Sequence, residues 1–228
     1  MTTALNGSPA SRVAIVTGGS RGIGQATACR LAACGYAVVV NYLHDQRAAE
    51  RAVEAILAGH GDAMAVRADV ADDLDVQRLF AETITAFGGV DVVVHTAGRH
   101  LAATPVTEVS LDEFDALVRL NVRAAFVVNR EAARHLRNGG AIVNLSGSAE
   151  DSSLRSHGLY AATKAITNVL TRAFALELRE RDITVNAVSP AVGRPCLPDR
   201  VTDAVAYLLS DHGPRLTGQV LTAGDVAY

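Results

Sequence analysis

Arg12-Val13-Ala14-Ile15-Val16-Thr17-Gly18-Gly19-Ser20-Arg21-Gly22-Ile23-Gly24, followed by the run from Gln25 to Ala33, is the stretch that decides the fold. A β-branched apolar run gives way to a glycine-rich turn, and the turn opens into residues with helical spacing. Glycines placed this way permit a tight turn and the close approach of a pyrophosphate, whose charge is met by backbone N–H groups and by the helix N-terminus. The order strand, loop, helix sets this apart from an ordinary glycine-rich turn.

Outward from this unit the same alternation continues. Apolar runs recur at Ala37 to Asn41, Ala63 to Ala68, Asp91 to His95, Ala141 to Leu145, Thr184 to Val188 and Gln219 to Thr222. Most are continuously apolar, as strands buried on both faces must be. Helical spacing lies between them, at Ala48 to Leu57, Leu74 to Phe87, Leu111 to Leu136, Ala161 to Arg179 and Val201 to Leu209. Asp72 or Asp73, and Ser110 followed by Glu113, are N-cap signals. Strand alternating with helix implies right-handed crossovers and a parallel sheet covered on both sides, a three-layer doubly wound α/β fold.

Length and composition bound the rest. The chain has 228 residues, 49% of them apolar, which is ample for a sizeable core. No linker, repeat or charge block divides it, so residues 12 to 228 read as one domain behind a disordered tail at residues 1 to 11. Net charge is −3 with acids and bases interspersed, which argues against nucleic acid or an anionic membrane as partner. The longest aliphatic runs are too short to cross a bilayer, and the polar start lacks a signal core, so a cytoplasmic location is expected. The three cysteines and seven histidines show no ligand spacing, and no metal is expected.

A dinucleotide fold that selects an unphosphorylated ribose places Asp or Glu at the end of the second strand, roughly 20 residues beyond the glycine loop. Here that strand ends Val40-Asn41-Tyr42, and the nearest carboxylate, Asp45, comes a few residues late. Asn41 is placed among the cofactor-binding residues. Arg21 can pair with a 2′-phosphate, so NADP(H) is expected over NAD(H).

Lys164 is the one lysine in a chain whose basic residues number 21, all the others being arginine. If charge alone were wanted, arginine would have supplied it; a compact ammonium and a planar guanidinium are not interchangeable where one group must touch a phenol. Tyr160 lies four residues earlier, on the same face if the segment is helical. A free tyrosine titrates at about 10, and a neighbouring cation favours its phenolate, so Tyr160 can act as acid to a carbonyl or base to an alcohol.

Thr17-Gly-x-x-x-Gly-x-Gly24, Asn121, Tyr160-x-x-x-Lys164 and Asn186-Ala-Val-Ser-Pro190 resemble the short-chain dehydrogenase/reductase family, closest to its β-ketoacyl carrier-protein reductase-like branch. The resemblance implies a seven-stranded, mostly parallel Rossmann sheet and hydride transfer between a nicotinamide and a carbonyl or alcohol carbon. Carried over by position, Tyr160 is the acid/base, Lys164 tunes it and holds the nicotinamide ribose, and Asn121 anchors a proton-relay water. Gly18, Ser20, Arg21, Gly22, Ile23 and Gly24 hold the phosphates, Asp69 and Val70 touch adenine, Ala97 and Gly98 line the cofactor, and Pro190 lies beside the nicotinamide.

The chain also departs from the family. His95-Thr96 stand where two asparagines are usual, and His95 reads as structural. The catalytic serine aligns with Gly147, flanked by Ser146 and Ser148; Ser148 is the choice for the role if a bulge brings it round, with Ser146 or no serine as alternatives. After Pro190 the substrate-covering segment is short, which predicts an open pocket. Relatives assemble through helices equivalent to Leu111–Leu136 and Tyr160–Arg179, so a homodimer or homotetramer is expected, and Arg137 and Arg181 fall near places where relatives dock a carrier protein. The reading is an NADP(H)-dependent reductase of a ketone or β-ketoacyl carbonyl, free or carrier-bound. Its rival is a catalytically impaired NADP(H)-binding sensor or silent hetero-oligomer partner.

Overall fold

The computed structural model describes residues 12–100, 102–147, 156–190, 198–210 and 215–223. Strands and helices alternate as β1 (Val13–Thr17), α1 (Gly22–Ala33), β2 (Ala37–Tyr42), α2 (Gln46–Ala58), β3 (Ala63–Arg67), α3 (Asp73–Phe87) and β4 (Val90–His95). Then follow α4 (Leu111–Val118), a π-helical turn (Arg119–Arg123), α5 (Ala124–His135), β5 (Leu136–Leu145), α6 (Gly158–Glu177), β6 (Thr184–Pro190), α7 (Pro198–Leu209) and β7 (Val220–Ala223).

The seven strands form one sheet in the order β3-β2-β1-β4-β5-β6-β7, and every pairing is parallel. Alternation along each strand feeds two cores. Val39, Ile15, Val93, Ile142 and Val185 are cross-strand partners in one row, all fully buried, and face α3, α5 and α6. Their neighbours Val38, Ala14, Val92 and Val40 point the other way, onto α1, α2 and α7. Burial on both faces is why these strands read as continuous apolar runs.

Local chemistry sets the helix ends. Asp72, not Asp73, caps α3 by accepting from the Asp75 N–H at 3.0 Å, and Ser110 with Glu113 forms a full capping box on α4. Asp45 caps α2, accepting from the Ala48 N–H at 2.9 Å. By contrast, α1 has no side-chain cap and no acid in its first turn, so its N-terminal N–H groups are open toward the glycine loop.

The long helix expected over Leu111 to Leu136 is corrected in two ways. It is interrupted by the π-helical turn at Arg119–Arg123, and it ends at His135 because Leu136 already pairs with Val90 as the start of β5. A single widened turn barely disturbs apolar spacing, so periodicity alone runs through it; such turns are frequent at functional sites.

Candidate active site

Strand order reverses between β1 and β4, and in open parallel sheets the crevice at such a switch point, beyond the C-terminal strand ends, is where ligands sit. A cleft of about 500 Å³ opens there. Gly18, Ser20, Arg21, Gly22, Ile23, Gly24, Asn41, Asp69, Val70, Ala97 and Gly98 line it, so the structure brings together these residues singled out from the sequence. Tyr42, Leu43, His44, Asp45, Ala68, Thr96, Leu120 and Leu145 complete the lining. The sequence signal for most of these was simply their position just past a strand end.

The loop is shaped for close approach. A Cβ on Gly24 would lie 2.2 Å from the Gly18 carbonyl oxygen, and Gly18 has φ +63° with Ala97 Cα 3.1 Å from where its Cβ would be. With the uncapped α1 terminus pointing into it, the cleft fits the pyrophosphate of a dinucleotide.

Several lining groups are held by the protein itself. Asn41 is buried; its Nδ2 donates to the Ala68 carbonyl at 3.0 Å and its Oδ1 accepts from the Gly18 N–H at 3.3 Å, so it ties the loop to the ends of β2 and β3. Asp69 accepts from the Ala71 N–H at 2.9 Å and pairs with Arg119 at 2.8 Å. Thr96 donates to the Thr17 carbonyl at 2.5 Å, and Thr17 Oγ1 lies 2.9 Å from His95 Nδ1, so the two residues that replace the usual asparagines still stitch β4 to β1. Burial first, and the charge of Lys164 second, push the His95 pKa down to about 3, so this ring is neutral and structural.

Next to Gly98 and Leu145 of the cleft stands α6; Tyr160, Lys164 and Asn121 are themselves not among the described residues that line it. Tyr160 is in the first turn of α6, and Lys164, 6% exposed, follows on the face packed against the sheet. Lys164 Nζ donates to the Leu145 carbonyl at 3.0 Å and lies 5.7 Å from the centre of the Tyr160 ring. Burial lowers its pKa to about 8, still cationic for the most part at neutral pH. Gly98 closes the group, since a Cβ there would come 3.3 Å from Asn121 Oδ1 and 3.5 Å from Lys164 Nζ.

Asn121 sits buried in the π-helical turn. Its Oδ1 accepts from the Arg99 N–H at 2.8 Å, and its Nδ2 donates to the Arg99 carbonyl at 2.9 Å and to Thr163 Oγ1 at 3.1 Å. The side chain therefore clamps both backbone polar groups of Arg99, in the loop after β4, to the first turns of α6.

Position 147 faces the reaction centre. A Cβ on Gly147 would lie 3.5 Å from Tyr160 Cε1 and 3.1 Å from Lys164 Cγ, and glycine offers no hydroxyl there. Ser146 points elsewhere, its hydroxyl bonded to Asn168 on α6. Ser148 lies outside the described residues. Pro190 ends β6 and is not among the described residues that line the cleft.

Two histidines escaped the sequence reading. The His100 ring is centred 4.6 Å from the Tyr160 ring and 5.3 Å from that of His157. Neither residue carries a spacing signal, because the contact joins the loop after β4 to the start of α6. Arg137 and Arg181, by contrast, are occupied within the fold. Arg137 pairs with Asp91 and donates to the Gly88 carbonyl, while Arg181 donates to Asn138 and to the Ala133 and Leu136 carbonyls.

The pattern of the short chain dehydrogenase family matches residues 12–198, and the chain belongs to that family of nicotinamide-dependent oxidoreductases. It is 41% identical over 182 residues to a hydroxynaphthalene reductase-like protein, Arp2, of Metarhizium majus, covering 79% of this chain and 68% of the relative. It is 40% identical over 201 residues to versicolorin reductase 1 of Aspergillus parasiticus, covering 84% of this chain and 76% of that protein. A short chain dehydrogenase from Burkholderia cenocepacia, solved in complex with NADP, superposes with a TM-score of 0.87 at 35% identity, covering 92% of this chain and 95% of that one. Among the described residues no helix is long and apolar enough to cross a membrane.

Proposed function

We propose that the chain is an NADP(H)-dependent reductase that converts a ketone to an alcohol, with Tyr160 as proton donor. The observation that carries this reading is the burial of the one lysine against the ring of Tyr160, next to Gly98 and Leu145 of a cleft that fits a dinucleotide. An ammonium in this place favours the ionised phenol and so eases proton transfer, and the positive end of α6 acts in the same sense. The bound cofactor supplies the hydride. Lys164 and Gly98 hold the nicotinamide side of the cleft, the glycine loop and the α1 terminus bind the phosphates, Asp69 and Val70 border the adenine, and Pro190 flanks the nicotinamide at the end of β6. Asn121 keeps the loop after β4 against α6.

NADP(H) is favoured because β2 ends in Asn41 and Tyr42 with no acid, while Asp45 spends one carboxylate oxygen on the cap of α2. Arg21 is exposed at the cleft and available to a 2′-phosphate. The related structure in complex with NADP supports the same choice. For the substrate, the named relatives favour a fused-ring aromatic ketone over a β-ketoacyl thioester, and the internal bonds of Arg137 and Arg181 remove the support those residues gave to carrier-protein docking. Exposed Phe114, Phe126, Ile166, Val169 and Leu176 on α4, α5 and α6 support assembly with further copies of the chain.

Oxidation of NADPH and NADH is followed with β-ketoacyl thioesters, diketones and quinones, wild type beside Tyr160→Phe. NADPH turnover that the variant loses is the expected result. The rival reading, an impaired NADP(H)-binding sensor or silent partner, draws on Gly147, which brings no hydroxyl of its own to the position beside Tyr160. Binding of NADPH with no turnover of any substrate would favour it.

A further inference from the structure

Reduction of a carbonyl builds negative charge on its oxygen. The carbon gains hydride from the reduced nicotinamide, the C=O π pair moves to oxygen, and Tyr160 gives that oxygen its proton. A single donor leaves the developing oxyanion half supported, and a second is worth roughly 100- to 1,000-fold in kcat in comparable sites. Position 147 faces Tyr160 and Lys164, where a second donor would be well placed, and it is glycine.

We propose that His100 is this second donor, a catalytic residue that hydrogen-bonds the substrate oxygen beside the Tyr160 hydroxyl. The inference rests on the reductase reading. His100 packs its ring at 4.6 Å centre to centre on the ring of Tyr160, tilted by 49°, which puts an imidazole directly beside the proton donor. The loop that carries it is fixed on both sides. Asn121 clamps the N–H and carbonyl of Arg99, the residue immediately before it, and the Thr104 N–H donates to the Ser156 carbonyl at 2.7 Å.

The ring's chemistry suits the role. His100 is exposed, yet partial desolvation and then the charges of His157 and Lys164 lower its pKa, which favours the neutral imidazole, with one N–H to donate and one nitrogen to accept. A neutral imidazole can polarise a carbonyl without surrendering its proton. His157 packs on its ring at 5.3 Å, and the His157 Nδ1 is buried with no hydrogen-bond partner among the described residues. Through the step His100 keeps its proton, and Tyr160 recovers its own from solvent.

The test uses the full chain with NADPH and two probes, phenanthrenequinone and butanedione. His100→Phe keeps a ring against Tyr160 but has no donor, and His100→Gln keeps a donor. The expected result is a fall in kcat of about 100-fold for His100→Phe, with KM and NADPH affinity, the latter read by nucleotide fluorescence, within about threefold of wild type. His100→Gln recovers at least about tenfold of that loss, and so does Gly147→Ser placed in the His100→Phe background. A kcat within about twofold of wild type for His100→Phe overturns the proposal, as does an equal loss in the Phe and Gln variants. A 100-fold loss on Ser148→Ala with His100→Phe unaffected also overturns it, by assigning the donor to Ser148. Wild type that Tyr160→Phe does not impair sinks the reductase reading instead, so the two failures are distinguishable.

Discussion

Lys164→Met tests whether the buried lysine is there for chemistry at the expense of stability. Lys164 is 6% exposed, and burial holds its pKa at about 8 against 10.5 for a free lysine. The folded state therefore disfavours the charged form by about 3 kcal/mol at pH 7. Methionine fills similar space without charge; the bond from Nζ to the Leu145 carbonyl that it loses is worth about 1 kcal/mol. The variant is expected to be about 2 kcal/mol more stable than wild type at pH 7. The sign with pH is fixed by linkage. Between the folded value of about 8 and the unfolded 10.5 the unfolded chain binds more protons, so the stability of the wild type rises with pH across that window. The variant has no such group, and its advantage shrinks by about 2 kcal/mol on going from pH 7 to roughly pH 9.5. Urea unfolding of both proteins at the two pH values reads this directly, because every other titrating group is common to both. A difference that does not change with pH, or a variant clearly less stable than wild type at pH 7, would show that burial of the Lys164 charge does not cost the fold stability.

Further expectations concern the loop, the core and the surface. In Gly24→Ala the new methyl would sit 2.2 Å from the Gly18 carbonyl oxygen, so the loop must shift; NADPH affinity is expected to drop more than about tenfold by fluorescence titration, and thermal stability to fall by about 1–3 kcal/mol. Asn129 and Asn144 exchange reciprocal amide hydrogen bonds of 2.9 and 3.1 Å in the core between α5 and β5. Asn129→Ala leaves the Asn144 amide short of a partner and is expected to cost about 1–3 kcal/mol in urea unfolding. Val169, 62% exposed on the outer face of α6, gives Val169→Lys as a test of assembly: light scattering should show a smaller species than wild type, and an unchanged mass would remove this face from the interface.

The Rossmann architecture was legible because its strands are buried on both faces and so appear as unbroken apolar runs, and because Gly24 stands where a side chain would collide with the Gly18 carbonyl while Gly18 has a positive φ that favours glycine. Local capping was legible too, at Ser110 with Glu113. What spacing could not show were the places where a local pattern is indifferent to a change. The π-helical turn at Arg119–Arg123 adds one residue to a turn without breaking apolar spacing, yet it carries Asn121 inward to clamp Arg99. The strand β5 starts at Leu136 because it pairs with Val90, a contact across the sheet that no helix periodicity records. The position of Gly147 in the motif order pointed to a missing hydroxyl, and the structure puts that position against Tyr160 and Lys164. The stacking of His100 on Tyr160 joins residues far apart in the chain, and only the fold brings it into view.

Hydride transfer from NADPH with Tyr160 as proton donor can be followed with a label. NADPH carrying deuterium at the transferable nicotinamide position is incubated with butanedione and either wild type or Tyr160→Phe, and the alcohol formed is analysed by mass spectrometry. One deuterium on the carbinol carbon is expected with wild type, and loss of nearly all product with Tyr160→Phe although the variant still binds NADPH. Unlabelled alcohol from wild type, or labelled alcohol formed equally well by Tyr160→Phe, would contradict this chemistry.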